Sequence, residues 1–179
     1  MTVETIRDQL PDYARDLKLN LGSVLTPQGA PGLSESMIAS IAVSTAIAAR
    51  NPQLVRAIET WAEPHLDAAH LQAARSAAAI MGMNNIYYRF QHVMGDESPY
   101  AHLPARLRME IIGKPGVGHV DFTLWCLAAS LINGCDGYVR TYELTVREHG
   151  GTAEQVQDVV RIASVIHAVA LMLDSTPAV

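Results

Sequence analysis

A thiol and two phenols stand at helical spacing near the C-terminal third of the chain. Cys135, Tyr138 and Tyr142 fall at i, i+3 and i+7, which puts all three on one face of an α-helix. A phenol donates a proton or hydrogen-bonds an oxyanion, so two of them beside a thiol suit the orientation of a carbonyl-bearing or aromatic ligand. Cys135 opens the helix, where the dipole favours a thiolate, and the neighbouring Asp136 carboxylate opposes that effect. No second cysteine lies within the motif, so a redox cycle at Cys135 would need an external thiol. The plainer reading is a small apolar side chain at a helix break with two core tyrosines beside it.

These residues belong to a stretch from Asp121 to Arg147 around which the chain is organised. An apolar helical run from Phe122 to Ile132 is interrupted at Asn133-Gly134, because glycine is costly within a helix and tolerant of unusual backbone angles. A second run starts at about Cys135, and on it Asp136 and Arg140 form an i, i+4 pair. The remaining pattern is helical throughout. Residues 3–21 read as two short helices divided by Pro11, and Thr26 to Gly32 is a loop. Ser34 caps a helix to Arg50, Asn51-Pro52 opens another to about Glu63-Pro64, and Asp67 caps a long one to about His92. A short helix is expected over about 104–112, with Asp121 capping the central helix. Thr152-Ala153-Glu154-Gln155 is a capping box for a last helix to about Leu173, and the tail from Ser175 is expected to be loose. No alternating stretch bounded by hairpin signals occurs, so the expected fold class is all-α.

The chain has 179 residues, of which 49% are hydrophobic and 17% charged. That length supports one domain, 1–179, and a helical core. A formal charge of -5 with scattered Lys and Arg argues against a nucleic-acid partner. No uninterrupted apolar run of membrane-spanning length is evident, and MTVETIRDQL lacks a signal-peptide core, so no membrane partner and a cytoplasmic location are expected. Cys126 and Cys135 are separated by roughly 13 Å along straight helix, beyond disulfide reach. No His, Cys, Asp and Glu residues have metal-ligand spacing, and neither a metal nor any other cofactor is expected. Of the histidines, His92, His119 and His167 are the ones expected nearest the Cys135 face.

The sequence also repeats itself. Residues 51–59, NPQLVRAIE, lie over 135–143, CDGYVRTYE, at an offset of 84, and 75–80 lie over 161–166 at an offset of 86. The halves, about 1–95 and 96–179, thus look like copies of one helical unit, with Asn51 in the first where the second has Cys135. The same correspondence places His167 opposite Met81 and suggests that it is buried.

Several segments together resemble the alkylhydroperoxidase D (AhpD-like) family, part of the carboxymuconolactone decarboxylase fold group. They are KLNLGSVL (18–25), MNNIYYR (83–89), LRM (107–109) with GKPG (113–116), and FTLW (122–125) leading to INGC (132–135). The resemblance implies a two-fold repeated helical subunit, commonly assembled as a trimer. It also implies a working pattern of Cys-x-x-Cys with an intervening His, a later His and a Glu in the preceding helix. Here the first Cys is Cys135, while the other four positions carry Gly137, Tyr138, Tyr142 and Thr123.

The expected function is therefore a repurposed non-redox enzyme acting on a small apolar molecule by acid–base chemistry, such as isomerisation, cyclisation or elimination. Cys135, Tyr138 and Tyr142 would be catalytic, with Thr123, Asp136, His119 and Trp125 contacting substrate. The alternatives are a peroxidase using Cys135 alone and a ligand-binding relative without turnover. The family's lipoyl-bearing reductant and peroxiredoxin partner do not carry over to an incomplete dithiol.

Overall fold

A computed structural model describes residues 1–175, and among these it contains α-helices, two 3-10 turns and no strand. The helices are α1 (Val3–Gln9), α2 (Arg15–Val24), α3 (Glu35–Ala49), α4 (Pro52–Ala62), α5 (Ala68–Met94), α6 (Glu110–Gly113), α7 (His119–Ile132), α8 (Asp136–Glu148) and α9 (Ala153–Ser175). The loose tail expected after Ser175 lies outside the described residues.

The starts of these helices follow from local chemistry. Each leaves its first N–H groups without helical partners, and short polar side chains supply acceptors. Ser34 accepts from Met37 N, Asn51 from Leu54 N and Asp67 from His70 N. The capping box at Thr152 is complete: Gln155 N donates to Thr152 Oγ1 at 3.1 Å, and Thr152 N donates to Gln155 Oε1 at 2.9 Å. Pro11 separates α1 from a 3-10 turn leading into α2.

Two boundaries differ from expectation. The short helix over 104–112 is reduced to α6, Glu110–Gly113, and Arg106 before it takes a left-handed φ of +52°, which a continuous right-handed helix does not admit. The central helix begins at His119 with Gly118 as its cap, and Asp121 sits inside the first turn rather than capping it. Its carboxylate side chain folds back over Gly118, and burial raises its pKa while the His70 imidazole lowers it.

α3 and α7 form the centre. Residues Ile38 to Ala46 and Phe122 to Ser130 are buried without interruption, the pattern of helices surrounded on all sides. They touch directly, and Ser44 Oγ donates to Trp125 O at 3.1 Å. Around them, α5 packs on both α3 and α7, α9 does the same, and α8 packs on α7. The apolar core is a single cluster drawing on both halves of the chain. In element order α3, α4 and α5 precede α6 and α7, α8 and α9 follow it, and Asn51 and Cys135 are the N-caps of α4 and α8.

α9 is 23 residues long and by length and composition alone could cross a bilayer. Its apolar side is instead spent on the core, with Val159, Ile162, Ile166 and Val169 fully buried against α2, α3 and α7.

Candidate active site

The turn that delivers Cys135 is braced from two sides. Gly134 adopts φ +63°, a left-handed conformation in which a Cβ would be strained. The chain then doubles back, with Gly134 N donating to Leu131 O and Cys135 N to Ser130 O, both at 3.1 Å. Arg89 Nη1 donates to Asn133 O at 3.1 Å, and Arg50 Nη2 to Asn133 Oδ1 at 3.3 Å. Asn133 Nδ2 in turn donates to Asn85 Oδ1 at 2.9 Å, and Asn85 Nδ2 to Ser130 Oγ at 3.0 Å. The position of the thiol is thus fixed by the helix before it and by α5.

α5 supplies the opposite wall. Met81, Asn85, Tyr88 and His92 recur at steps of four, three and four, so they form one stripe. Met81 Sδ accepts from Tyr142 Oη at 3.3 Å. The Tyr88 ring meets Tyr138 nearly edge-on with centroids 5.4 Å apart, and Tyr138 lies 5.1 Å from Tyr142. Further out, the His92 imidazole fills the space that a side chain at Gly137 would occupy. Cys126, from α7, also interacts with the Tyr142 hydroxyl. Cys135 is near enough to act electrostatically on both phenols, so the thiol and phenols read from helical spacing are one cluster, and Tyr88, Met81, Asn85, Cys126 and His92 surround it.

Burial sets what these groups can do. Cys135 and Cys126 are each 1% exposed and free, Tyr142 is 8% exposed, Tyr138 is half-buried and His92 is exposed. Burial, more than any neighbouring group, raises the pKa of Cys126, Tyr138 and Tyr142 far above the ordinary range, because each would have to ionise away from water. The phenols are therefore neutral hydrogen-bond donors near pH 7. Cys126 is a neutral thiol in the core.

The other candidates are placed differently. Thr123 is 4% exposed and its Oγ1 donates to His119 O at 2.7 Å, a local helix bond. Trp125 is fully buried in the core and contacts Phe122 and His70 rather than the phenols. His119 opens α7, about 20 Å along the helix axis from Asn133, and its ring lies 5.4 Å from that of His149. Asp136 is exposed in the first turn of α8, and among the described residues no ion pair joins it to Arg140. His167 is exposed, not buried: with Ser164 and Leu171 it lies on the outward side of α9, while Ile166 and Val169 turn inward. It lines a cleft of about 190 Å³ with Leu131, Ile132, Val160, Ala163 and Ser164. That cleft contains none of Cys135, Tyr138 or Tyr142. No group of three His, Cys, Asp or Glu side chains with metal-binding geometry occurs among the described residues.

An all-α core, with a cysteine at the break between its central helix and the next, defines a class of protein that comparison identifies. Residues 99–179 match the carboxymuconolactone decarboxylase family. Over nearly the whole chain the similarity is to proteins named alkyl hydroperoxide reductase AhpD. That of Rhodospirillum centenum is 51% identical over 178 residues, 99% of this chain and 94% of that protein. That of Gluconacetobacter diazotrophicus is 52% identical over 178 residues, 99% and 96% respectively. That of Solibacter usitatus is 47% identical over 174 residues, 97% and 96%. The chain belongs to the AhpD-like family of the carboxymuconolactone decarboxylase group.

Proposed function

We propose that this AhpD-family chain binds a small apolar molecule against the phenol face of α8 and transforms it by acid–base chemistry, through isomerisation, cyclisation or elimination, without a dithiol redox cycle. The observation that carries this reading is the placement of Tyr138. It stands three residues after Cys135, where a second thiol would have to sit, and is packed between the rings of Tyr88 and Tyr142. A phenol cannot resolve a sulfenic acid into a disulfide, but a neutral, half-buried phenol is a good donor to a developing oxyanion.

The test is a thermal-shift screen of apolar carbonyl compounds, with every compound that raises Tm followed by mass spectrometry. At least one stabilising compound should be converted to an isomer or to a product of elimination. The Tyr138→Phe/Tyr142→Phe double variant should stay folded and lose the conversion, and undiminished turnover by that variant would remove the roles assigned here. Stabilisation without any conversion would favour a ligand-binding protein.

A second reading is a peroxidase using Cys135 alone. It is supported by the names of the relatives and by the free thiol of Cys135 at the N-cap of α8. The 1% exposure of that thiol weighs against it, since peroxide must reach the sulfur.

We also infer a homo-oligomer, a trimer by family resemblance. Ile86, Phe90 and Val93 lie at i, i+4 and i+7 on the outward side of α5 and are exposed, as are Tyr100 and Leu103 in the following loop. An apolar face of that kind suits an interface between subunits.

A further inference from the structure

We propose that His92 is the proton-transfer group of the Cys135–Tyr138 site, reaching it from α5 through the space left by the absent side chain of Gly137, and that the ligand there is a planar, weakly acidic compound such as a phenol or an enolisable conjugated carbonyl. This rests on the functional reading above and adds to it the group that moves the proton and the chemical class that supplies it.

Three observations converge. The first is steric: a Cβ at position 137 would fall inside the His92 imidazole. Gly137 lies in the first turn of α8, between Cys135 and Tyr138 in sequence, and glycine there has no backbone need, because its φ is not positive. Its fit to the imidazole is the feature of the structure that accounts for it.

The second is register. His92 is the last member of the Met81, Asn85, Tyr88, His92 stripe, whose other members contact Tyr142, Ser130 and Tyr138 in turn. The imidazole is thus continuous with the wall of the site.

The third is availability. Cys135 and Tyr142 are closed off, while His92 is exposed, and among the described residues neither of its ring nitrogens has a hydrogen-bond partner. An imidazole is the side chain best matched to proton transfer near neutral pH. The step is simple. A ring nitrogen of His92 takes the proton from the ligand O–H, or from the carbon beside a carbonyl. The electron pair stays on the ligand and its oxygen accepts from the Tyr138 hydroxyl. The aromatic edges and faces of Tyr88 and Tyr138 favour a flat ligand.

The experiment uses 4-nitrophenol, whose spectrum distinguishes phenol from phenolate, at a pH where the free probe is mostly neutral. Equilibrium dialysis measures the amount bound and absorbance measures its ionisation. The wild-type protein should hold the probe about tenfold more ionised than in solution, equivalent to one pKa unit. His92→Gln should bind it comparably and lose the excess ionisation. Gly137→Ala is the second variant: it leaves the imidazole intact but displaces it, and should reproduce the loss while keeping or raising Tm. Probe bound in neutral form by the wild type, or equally ionised by either variant, overturns the role of His92 and leaves the phenol-face reading standing. No binding to the wild type overturns both.

Discussion

Tyr142 donates to the sulfur of Met81 across 3.3 Å, joining α8 to α5 sixty-one positions earlier in the chain. The bond places a phenol, a thioether and the Cys126 thiol in one water-excluded group behind Cys135. The cluster is a support for the outer residues. Tyr138, resting on Tyr142, stays half-buried.

That support is expected to be measurable as stability. Tyr142→Phe removes a hydroxyl bonded to Met81 and close to Cys126 while keeping the ring, and should cost about 1 kcal/mol. Met81→Ala removes the fully buried thioether and should cost about 2–5 kcal/mol. Urea denaturation of the two variants checks both magnitudes and their order.

Alkaline pH should destabilise the protein through the same groups. In the unfolded chain a thiol ionises near pH ~8.5 and a phenol near ~10. Burial raises the pKa of Cys126, Tyr138 and Tyr142 in the folded state. Their contribution is whole below the unfolded values. Above them the unfolded state sheds protons that the native state keeps, so stability falls as pH rises. Urea midpoints should decline from about pH 8.5 upward, and Tyr142→Phe should make the decline above pH ~10 shallower.

The two caps of the repeat should respond unequally. Asn51 accepts from Leu54 N at 2.8 Å and donates to Asp174 at 2.7 Å, whereas Cys135 makes no side-chain cap bond. Asn51→Ala should therefore lower stability by about 1–2 kcal/mol. Cys135→Ala should lower it less, and thermal melts of both compare them directly.

Tyr138→Cys should restore what the site lacks. At i+3 from Cys135 in the first turn of α8, the introduced thiol should form an intramolecular disulfide with it on mild oxidation, read as a loss of two hydrogens by intact-mass measurement. The wild-type protein, whose cysteines are free, should show no such loss.

Much of this arrangement could be read from the residues in order. The period-3.6 runs give the helices, and Ser34, Asn51, Asp67 and Thr152 mark their starts because caps are local chemistry. The face shared by Cys135, Tyr138 and Tyr142 is likewise a matter of spacing on one helix. What came from elsewhere was harder to see. Cys126 joins the cluster only because α8 folds back along α7, and Met81 and Tyr88 only because α5 packs against both. The four-three-four stripe on α5 was a usable signal for the latter. The exposure of His167 does not follow from its correspondence with Met81, which gives a place along the sequence repeat but not the side of the helix that meets its neighbours. Trp125 lies beside the right residues in sequence, yet its side chain points into the core.

Catalytic consumption of cumene hydroperoxide with dihydrolipoamide as reductant tests the central claim most directly. The account predicts no turnover above that of a Cys135→Ser variant. Sustained turnover that is lost on replacing Cys135 would contradict it.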